Sequence, residues 1–155
     1  KKKKVQFVKI FNFFFCLFFF IFNSYSEEKK NFLMLKNNKV NVRYGPSFDY
    51  PIKYIYRKIN LPVKLIDKKE NFRRIIDHKK NSGWIHISQL RKSKSLITTS
   101  TKILFKKPTK YSKPLAKLDS GRLLLIKKCE KNWCNVNTDQ FSGWVDNNNI
   151  WGNAE

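Results

Sequence analysis

Two cysteines, Cys129 and Cys134, lie near the end of the sequence with four residues between them. Thiols at the two ends of a β-hairpin turn can approach within the roughly 5.5 Å Cα separation that a disulfide requires. A reactive or metal-binding thiol is the alternative, but no histidine lies close in sequence to complete a zinc site. We therefore expect a disulfide that fastens a hairpin, and we expect no metal site.

Aromatic and arginine side chains in the first half of the sequence could together bind a ligand. Flat aromatic faces hold extended peptides or sugars. A guanidinium can grip a carboxylate through two parallel hydrogen bonds. The alternatives are a tryptophan packed in the core or rim of its domain and arginines that are merely solvated. The candidate ligand-binding residues are Arg43, Tyr44, Tyr50, Tyr54, Arg73, Arg74 and Trp84.

No set of residues in the sequence is arranged for catalysis. His78 and His86 are the only histidines, and His86, two residues after Trp84 on a predicted strand, is expected to be structural and to share a face with it. A Cys–His pair would need a free nucleophile and an orienting partner. There is no glycine-rich phosphate loop and no paired carboxylate motif. The sequence therefore predicts a protein that is not an enzyme and that uses no cofactor.

A repeat of about 61 residues must position these side chains. Pro46 and Pro108 are 62 residues apart, and Phe72 and Trp133 are 61 apart. Self-similarity at this spacing indicates that each copy is one small domain. The sequence therefore predicts a first domain at 36–92, a linker at 93–100 and a second domain at 101–152.

Each copy consists of short segments typical of β-strands. In the first copy these are residues 40–42, 61–66, 72–77 and 83–87, with a polar hairpin loop at 67–71. Asn60 and Gly121 occupy equivalent positions, and both residue types tolerate a positive φ, which predicts a tight turn in each copy. No helical period is sustained for three turns. We expect an all-β protein built of two small, partly open barrels, each with five or so strands.

The first 26 residues have the pattern of a secretory signal peptide. The segment starts with four lysines and continues into a 13-residue apolar run at 10–22, and Ser24 and Ser26 are small residues suited to signal peptidase cleavage. The alternative is an uncleaved anchor, although 13 apolar residues rise only about 20 Å as a helix, less than the roughly 30 Å hydrocarbon core. We expect a signal-peptide helix at 1–26, a secreted or periplasmic protein, and membrane contact only through this transient segment.

The formal charge of +22 is unevenly distributed along the sequence. Beyond residue 26 there are 28 basic and 11 acidic residues, so that the remainder carries +17. Residues 36–92 account for +11 and residues 93–155 for +6. Such a chain attracts polyanions. The charge therefore predicts an anionic partner or environment, chiefly for the first domain.

The run V-N-V-R-Y-G-P-S at 40–47, followed by Tyr50-Pro51, resembles the opening of bacterial SH3-like (SH3b) domains. Gly83-Trp84-Ile85 resembles their closing G-W-V motif. The tandem arrangement, the leader and the C-x(4)-C hairpin are similar to a group of exported alphaproteobacterial SH3-like proteins. The resemblance covers roughly residues 36–152 and implies two SH3-like barrels that bind peptide or peptidoglycan in the cell envelope. In the second copy Phe105 replaces the motif's arginine, which favours the first copy for binding.

The sequence is compatible with three functions. The leading hypothesis is an exported binding module whose partner is a peptidoglycan peptide, an anionic envelope polymer or an envelope protein segment. Nucleic-acid binding is an alternative, because a chain of this charge binds any polyanion in a salt-dependent way. Export argues against a specific nucleic-acid partner. A purely structural module that assists protein assembly and has no ligand groove is the third hypothesis.

Overall fold

The computed structural model describes residues 31–153. The predicted signal peptide at 1–26 lies outside the described residues. The described part is all-β, as the sequence predicts, with two tandem domains of seven strands each and a single 3-10 turn at Ile87–Gln89. No helix among these residues is long and apolar enough to cross a bilayer.

The strands are β1 Phe32–Leu35, β2 Val40–Arg43, β3 Ile52–Tyr56, β4 Pro62–Lys69, β5 Phe72–Ile76, β6 Ser82–His86, β7 Leu90–Lys92, β8 Ser95–Thr98, β9 Lys102–Phe105, β10 Pro114–Leu118, β11 Leu123–Glu130, β12 Trp133–Asn137, β13 Ser142–Asp146 and β14 Ile150–Gly152.

The first barrel is one antiparallel sheet with the strand order β3-β2-β6-β5-β4-β1-β7. Successive side chains of a strand point to opposite faces, and on β2 Val40 and Val42 are fully buried whereas Asn41 is exposed. The inward-facing residues form one apolar core. That core consists of Leu35, Val40, Val42, Leu61, Val63, Ile75, Ile85, Leu90 and, from the second domain, Ile97.

The second barrel repeats this topology strand for strand, in the order β10-β9-β13-β12-β11-β8-β14. Its core contains Leu96, Leu104, Leu118, Leu124, Cys134, Val136 and Val145. Cys129 and Cys134 pair across the β11–β12 hairpin and form the expected disulfide, with their Cα atoms 4.0 Å apart.

The tight turns expected from Asn60 and Gly121 are present. Asn60 has a φ of 63° and Gly121 a φ of +83°, and each residue lies in the connection before the long fourth strand of its barrel. The left-handed backbone is disfavoured for most L-residues, but glycine and asparagine adopt it readily. The two copies thus use one turn geometry with two different residues.

Three sequence expectations differ from the structure in detail. Each barrel has seven strands, more than the five or so expected. Residues 93–100, expected as a linker, contain strand β8, whose four residues are all buried and pair with β11 and β14. Residues 67–71, expected as a polar loop, are mostly strand: β4 runs to Lys69, and only Glu70 and Asn71 form the turn. At its end β4 pairs with β5 and is exposed to solvent, so its side chains there need not be apolar. The polar composition of residues 67–69 therefore gave no indication of a strand.

The two barrels are in direct contact through Trp151 of the last strand. Its indole Nε1 donates a hydrogen bond to the Pro62 carbonyl over 3.2 Å. Its ring meets the Phe32 ring edge to face, with centroids 5.3 Å apart. Nearby, Ser95 Oγ donates to the Asn60 carbonyl over 2.7 Å. Apolar burial and hydrogen bonds from both sides therefore fix the relative position of the barrels.

Candidate functional site

Three neighbouring strands of the first barrel place aromatic and cationic side chains on its outer face. Arg43 on β2 is opposite Trp84 on β6, and Trp84 is opposite Arg74 on β5. Phe72 is opposite His86 in the same β5–β6 ladder. These residues alternate with the buried Val42, Ile75 and Ile85. The strand period therefore gathers them on the side of the sheet that faces away from the core.

Arg43 holds the loop that follows its own strand. Its Nη1 donates to the carbonyl oxygens of Phe48, over 3.1 Å, and of Tyr50, over 2.6 Å. The guanidinium carbon also lies 5.4 Å from the centroid of the Phe48 ring, within cation–π range. Within residues 31–153, Nη2 and Nε have no hydrogen-bond partner. The guanidinium is thus oriented by the protein and retains donors for a ligand.

An aromatic trio lies beside Arg43. The rings of Phe48, Phe72 and His86 have pairwise centroid distances between 5.1 and 5.2 Å. Phe72 is only 5% exposed, whereas Phe48 is 63% exposed. The buried ring therefore supports an exposed one, an arrangement suited to contact with an apolar part of a ligand.

His86 has a defined hydrogen-bond arrangement. The Ser88 backbone N–H donates to its Nδ1 over 3.3 Å, and the Ser88 hydroxyl lies 2.8 Å from the same atom. Because Nδ1 accepts, the neutral imidazole carries its proton on Nε2. The ring thus offers one further N–H donor. His86 shares the outer face with Trp84, as its spacing from Trp84 predicts.

We call the concavity formed by these groups the first-barrel pocket. Its volume is about 290 Å³, at the lower end of the range for small-ligand sites. Gln89 at its rim accepts a hydrogen bond from Asn37 Nδ2 over 3.0 Å. The lining residues are Lys39, Asn41, Arg43, Phe48, Phe72, His86 and Gln89. The pocket combines two cationic side chains with an aromatic floor and neutral amides.

The predicted tyrosines lie at three different places. Tyr44 is 62% exposed, with Lys53 Nζ 5.6 Å from its ring centroid. Tyr50 packs its ring on Gly45, where a Cβ atom would lie 2.5 Å from ring carbons, so a larger residue at position 45 would displace the Tyr50 ring. Tyr54 is opposite Val42, on the inner face, and its ring contacts Tyr56. The sheet therefore separates Tyr54 from Arg43 and Trp84.

The predicted arginines are also separated by the sheet. Arg74 lies on the outer face beside Trp84. Arg73 is opposite Ile85, and its Nη1 donates to the carbonyls of Glu70 and Phe72, each over 2.8 Å. These bonds close the β4–β5 turn. Of the predicted set, the structure brings Arg43, Trp84 and Arg74 together and leaves Arg73 at the hairpin end.

Sequence reasoning did not select most of the pocket's lining. Asn41 could have been found, because it is two residues from Arg43 on the same strand and so shares its face. Phe72 and His86 were assigned to strands but not to a site. Phe48 carries no local signal, since it reaches the pocket only because its loop folds over β5 and β6.

The equivalent face of the second barrel has different chemistry. Phe105 occupies the position of Arg43, and its ring meets Trp133 edge to face at 5.8 Å. Asp146 occupies the position of His86 and forms an ion pair with Lys102, whose Nζ lies 2.7 Å away and is almost fully buried. Lys128 Nζ lies 5.3 Å from the Trp144 ring centroid. This face has no arginine and is partly acidic, so it is a poor match for a carboxylate.

A second polar cluster in the first barrel stabilises a loop. Asp77 is buried and accepts hydrogen bonds from the backbone N–H groups of Lys79 and Asn81, from the Asn81 amide and from the Tyr56 hydroxyl. Burial acts to raise the pKa of Asp77, but these hydrogen bonds outweigh it and leave the pKa below its ordinary value. Burial also raises the pKa of Tyr56 and lowers that of His78. Near neutral pH Asp77 is therefore charged and Tyr56 is neutral.

No group of three or more potential metal ligands occurs among residues 31–153. Both cysteines in this part of the chain are joined to each other. The side chains that line the first-barrel pocket offer hydrogen bonding, charge attraction and aromatic contact.

Comparison with known proteins gives a family match for both barrels. The family model described as bacterial SH3 domain matches residues 36–92 and again residues 100–152. Domains of this kind are binding modules and occur in extracellular or cell-wall proteins. No curated protein matches the sequence.

Two similar solved structures are those of NlpC2 and NlpC1 from Trichomonas vaginalis. Each is 11% identical to this chain with a TM-score of 0.37. The matches cover 83% and 84% of this chain, and 50% and 48% of the other chains. This chain therefore spans about half the length of those proteins.

Proposed function

The chain belongs to the bacterial SH3 domain family, and from that premise we propose that its first barrel binds a carboxylate-bearing peptide of the cell envelope, such as a peptidoglycan stem peptide. The observation that carries the proposal is Arg43. Its guanidinium is fixed by two backbone carbonyls, it has donors to spare, and it stands beside an exposed aromatic ring.

A fixed guanidinium is suited to a carboxylate for two reasons. Its planar donors match the two carboxylate oxygens. Its orientation is already determined by the loop, so a ligand need not order a long side chain on binding. Lys39 adds a second positive charge at the rim. The carboxylate of a short peptide would lie against Arg43 while its apolar part contacts Phe48.

The proposal includes export and the absence of catalysis. The leader at 1–26 would direct the protein out of the cytoplasm, where envelope polymers are accessible and a disulfide is stable. Catalysis by cysteine is disfavoured because Cys129 and Cys134 are bonded to each other. We expect a binding protein that needs no cofactor.

Retention on purified peptidoglycan sacculi tests the proposal. Phe48→Ala removes the exposed ring of the pocket without entering the core, and we expect about a fivefold loss of affinity, of the order of one interfacial aromatic contact. Tyr111→Ala is the matched control, because Tyr111 is fully exposed on the second barrel. That variant should bind as the wild type does.

Arg43→Lys provides a second, chemical test. Lysine keeps the charge but lacks the planar fork, so we expect weaker retention at unchanged net charge. Equal retention of the wild type, the Phe48 variant and the Arg43 variant would reject the pocket. Binding that duplex DNA displaces equally from all of them would instead indicate non-specific attraction to polyanions.

A further inference from the structure

A second and larger concavity lies between the two barrels. Its volume is about 730 Å³, within the range of ligand-binding sites. The first barrel contributes residues 57–60 of the β3–β4 connection, and the second contributes residues 119–122 and 138–141 of two connections. We call it the interdomain cleft. It does not share a residue with the first-barrel pocket.

Direct contacts hold the walls of the cleft in place. Asn60, in one wall, accepts a hydrogen bond from Ser95 Oγ of the second barrel through its carbonyl, and a second from Arg91 through its side-chain oxygen. In the opposite wall, the Gly121 N–H and the Arg122 N–H bond to Thr98 over 2.7 and 3.0 Å. The cleft is therefore formed before any ligand arrives, which lowers the entropic cost of binding.

The cleft carries an excess of uncompensated positive charge. Four cationic side chains line it against two acidic ones. Arg57, Lys58 and Lys117 form no ion pair with an acidic group in the described residues. The fourth, Arg122, meets Asp139 only at 3.5 Å and at the surface, where such a pair contributes little. The cations are available to an anionic ligand.

The cleft also exposes apolar side chains. Ile59, Leu125 and Phe141 line it and are 43%, 40% and 45% exposed. They come from both barrels, so they are not the edge of a single core. A phosphate or sugar-phosphate chain would leave them uncovered, whereas a peptide with apolar side chains would bury them. The cleft is thus complementary to a ligand that is both acidic and partly apolar.

We propose that the interdomain cleft is a second binding site, which takes an acidic peptide segment bearing aliphatic side chains. Carboxylates of the segment meet Arg57, Lys58 and Lys117, and its aliphatic groups cover Ile59, Leu125 and Phe141. The site requires both barrels, since neither alone supplies the two walls. It is independent of the peptide site proposed for the first-barrel pocket.

Fluorescence anisotropy with a labelled synthetic peptide of alternating glutamate and leucine tests the cleft. In the purified protein we expect saturable binding, and about a tenfold higher Kd for the Arg57→Ala, Lys58→Ala double variant. The control is Lys68→Ala, Lys69→Ala, which removes two exposed lysines outside the cleft and should shift Kd by less than about twofold. The Arg57/Lys58 double substitution should raise Kd by the same factor in a Phe48→Ala background, which separates the cleft from the first-barrel pocket.

Two further probes identify the ligand class. A peptide of alternating glutamate and serine should bind more weakly than the leucine peptide, and Phe141→Ala should remove most of that difference. The proposal would be overturned if the Arg57/Lys58 and Lys68/Lys69 double variants raised the Kd of the peptide equally. It would also be overturned if duplex DNA bound more tightly than the peptide. Either result would indicate general attraction to polyanions. Unchanged affinity in both the Arg57/Lys58 variant and an Arg122→Ala variant would also overturn it.

Discussion

Arg43 shows how one residue can serve both the fold and the proposed site. One edge of its guanidinium closes the β2–β3 loop through two carbonyls, while the other edge has no partner in the described residues. At the equivalent position of the second barrel, Phe105 packs against Trp133 instead. This substitution replaces a donor by an apolar contact and, together with Asp146 at the position of His86, makes the two outer faces chemically different.

Asp77 is the residue for which a pH dependence of stability follows from the structure. Its pKa is lowered in the folded state by its hydrogen bonds, so the folded state favours the charged carboxylate more than the unfolded state does. This contribution is fully present above the unfolded pKa of about 3.9 and is lost as the pH falls through the lower, folded pKa. The wild-type protein should therefore lose stability on acidification below about pH 4.

An Asp77→Asn variant tests this contribution. Asparagine cannot accept all the N–H bonds that the carboxylate accepts, so we expect a loss of about 2 kcal/mol at neutral pH and a flatter dependence on acid. Thermal unfolding between about pH 7 and about pH 3 measures both effects. Glu130→Gln is the control, since it removes only an exposed ion pair with Lys128 and should change stability by less than about 0.5 kcal/mol. An Asp77 variant as stable as the wild type contradicts the assignment.

Among the elements, the β11–β12 hairpin has the only disulfide found in residues 31–153. The loop that it closes is short, so it restricts the unfolded chain less than a long-range disulfide would. Replacing both cysteines by serine should cost about 2 kcal/mol. Urea unfolding measures that loss, and amide hydrogen exchange should show faster exchange confined to the hairpin. A loss of the whole second barrel would mean that the disulfide holds the domain and not only its hairpin.

The strands that alternate apolar and polar residues were the predictable ones. Strands β2, β5 and β6 of the first barrel begin within one residue of the expected positions. Strand β8 was missed because its ends are Ser95 and Thr98, which indicate a loop in isolation. Both are buried, and their hydroxyl groups donate hydrogen bonds to the carbonyl oxygens of Asn60 and Asp119 in distant segments. Such pairing depends on the tertiary structure and leaves no local pattern.

The residues of the candidate site were likewise predictable only where a local sequence pattern indicates them. Arg43 and Trp84 could be chosen from motif and spacing, and strand alternation places them together. Tyr54 was grouped with them although its strand register turns it inward, opposite Val42. Tyr54 pairs with Val42 in the regular part of the β2–β3 ladder, and a shift of one residue in that pairing would exchange the faces of the strand. The sequence does not reveal which residue of β2 lies opposite Tyr54.

At the scale of the whole molecule, Trp151 couples the two barrels. It belongs to the last strand of the second barrel, yet it packs against Phe32 and bonds to Pro62 of the first. Because β8 follows β7 after only Ser93 and Lys94, the chain between the barrels is also short. The pair is thus expected to unfold as one cooperative unit.

A Trp151→Ala variant should separate the barrels. It removes a large interfacial side chain, for which we expect a loss of about 3 kcal/mol and two resolved calorimetric transitions in place of one. The interdomain cleft would lose its fixed geometry, so the acidic peptide should bind more weakly. Lys80→Ala is the control, because Lys80 only approaches the Trp151 ring from the surface at 5.8 Å. A single transition in the Trp151 variant would show that other contacts provide the coupling.

The first and last strands of each barrel are neighbours. In the first barrel Leu33 is opposite Lys92, and in the second Leu96 is opposite Gly152. The beginning and the end of each module therefore meet at one place on its surface. A module of this kind can be copied in tandem by gene duplication without rearranging its interior, and its ends can be joined and reopened elsewhere, as in circular permutation. The present pair, with one arginine-bearing copy and one that lacks it, is what duplication followed by divergence of a single face would produce.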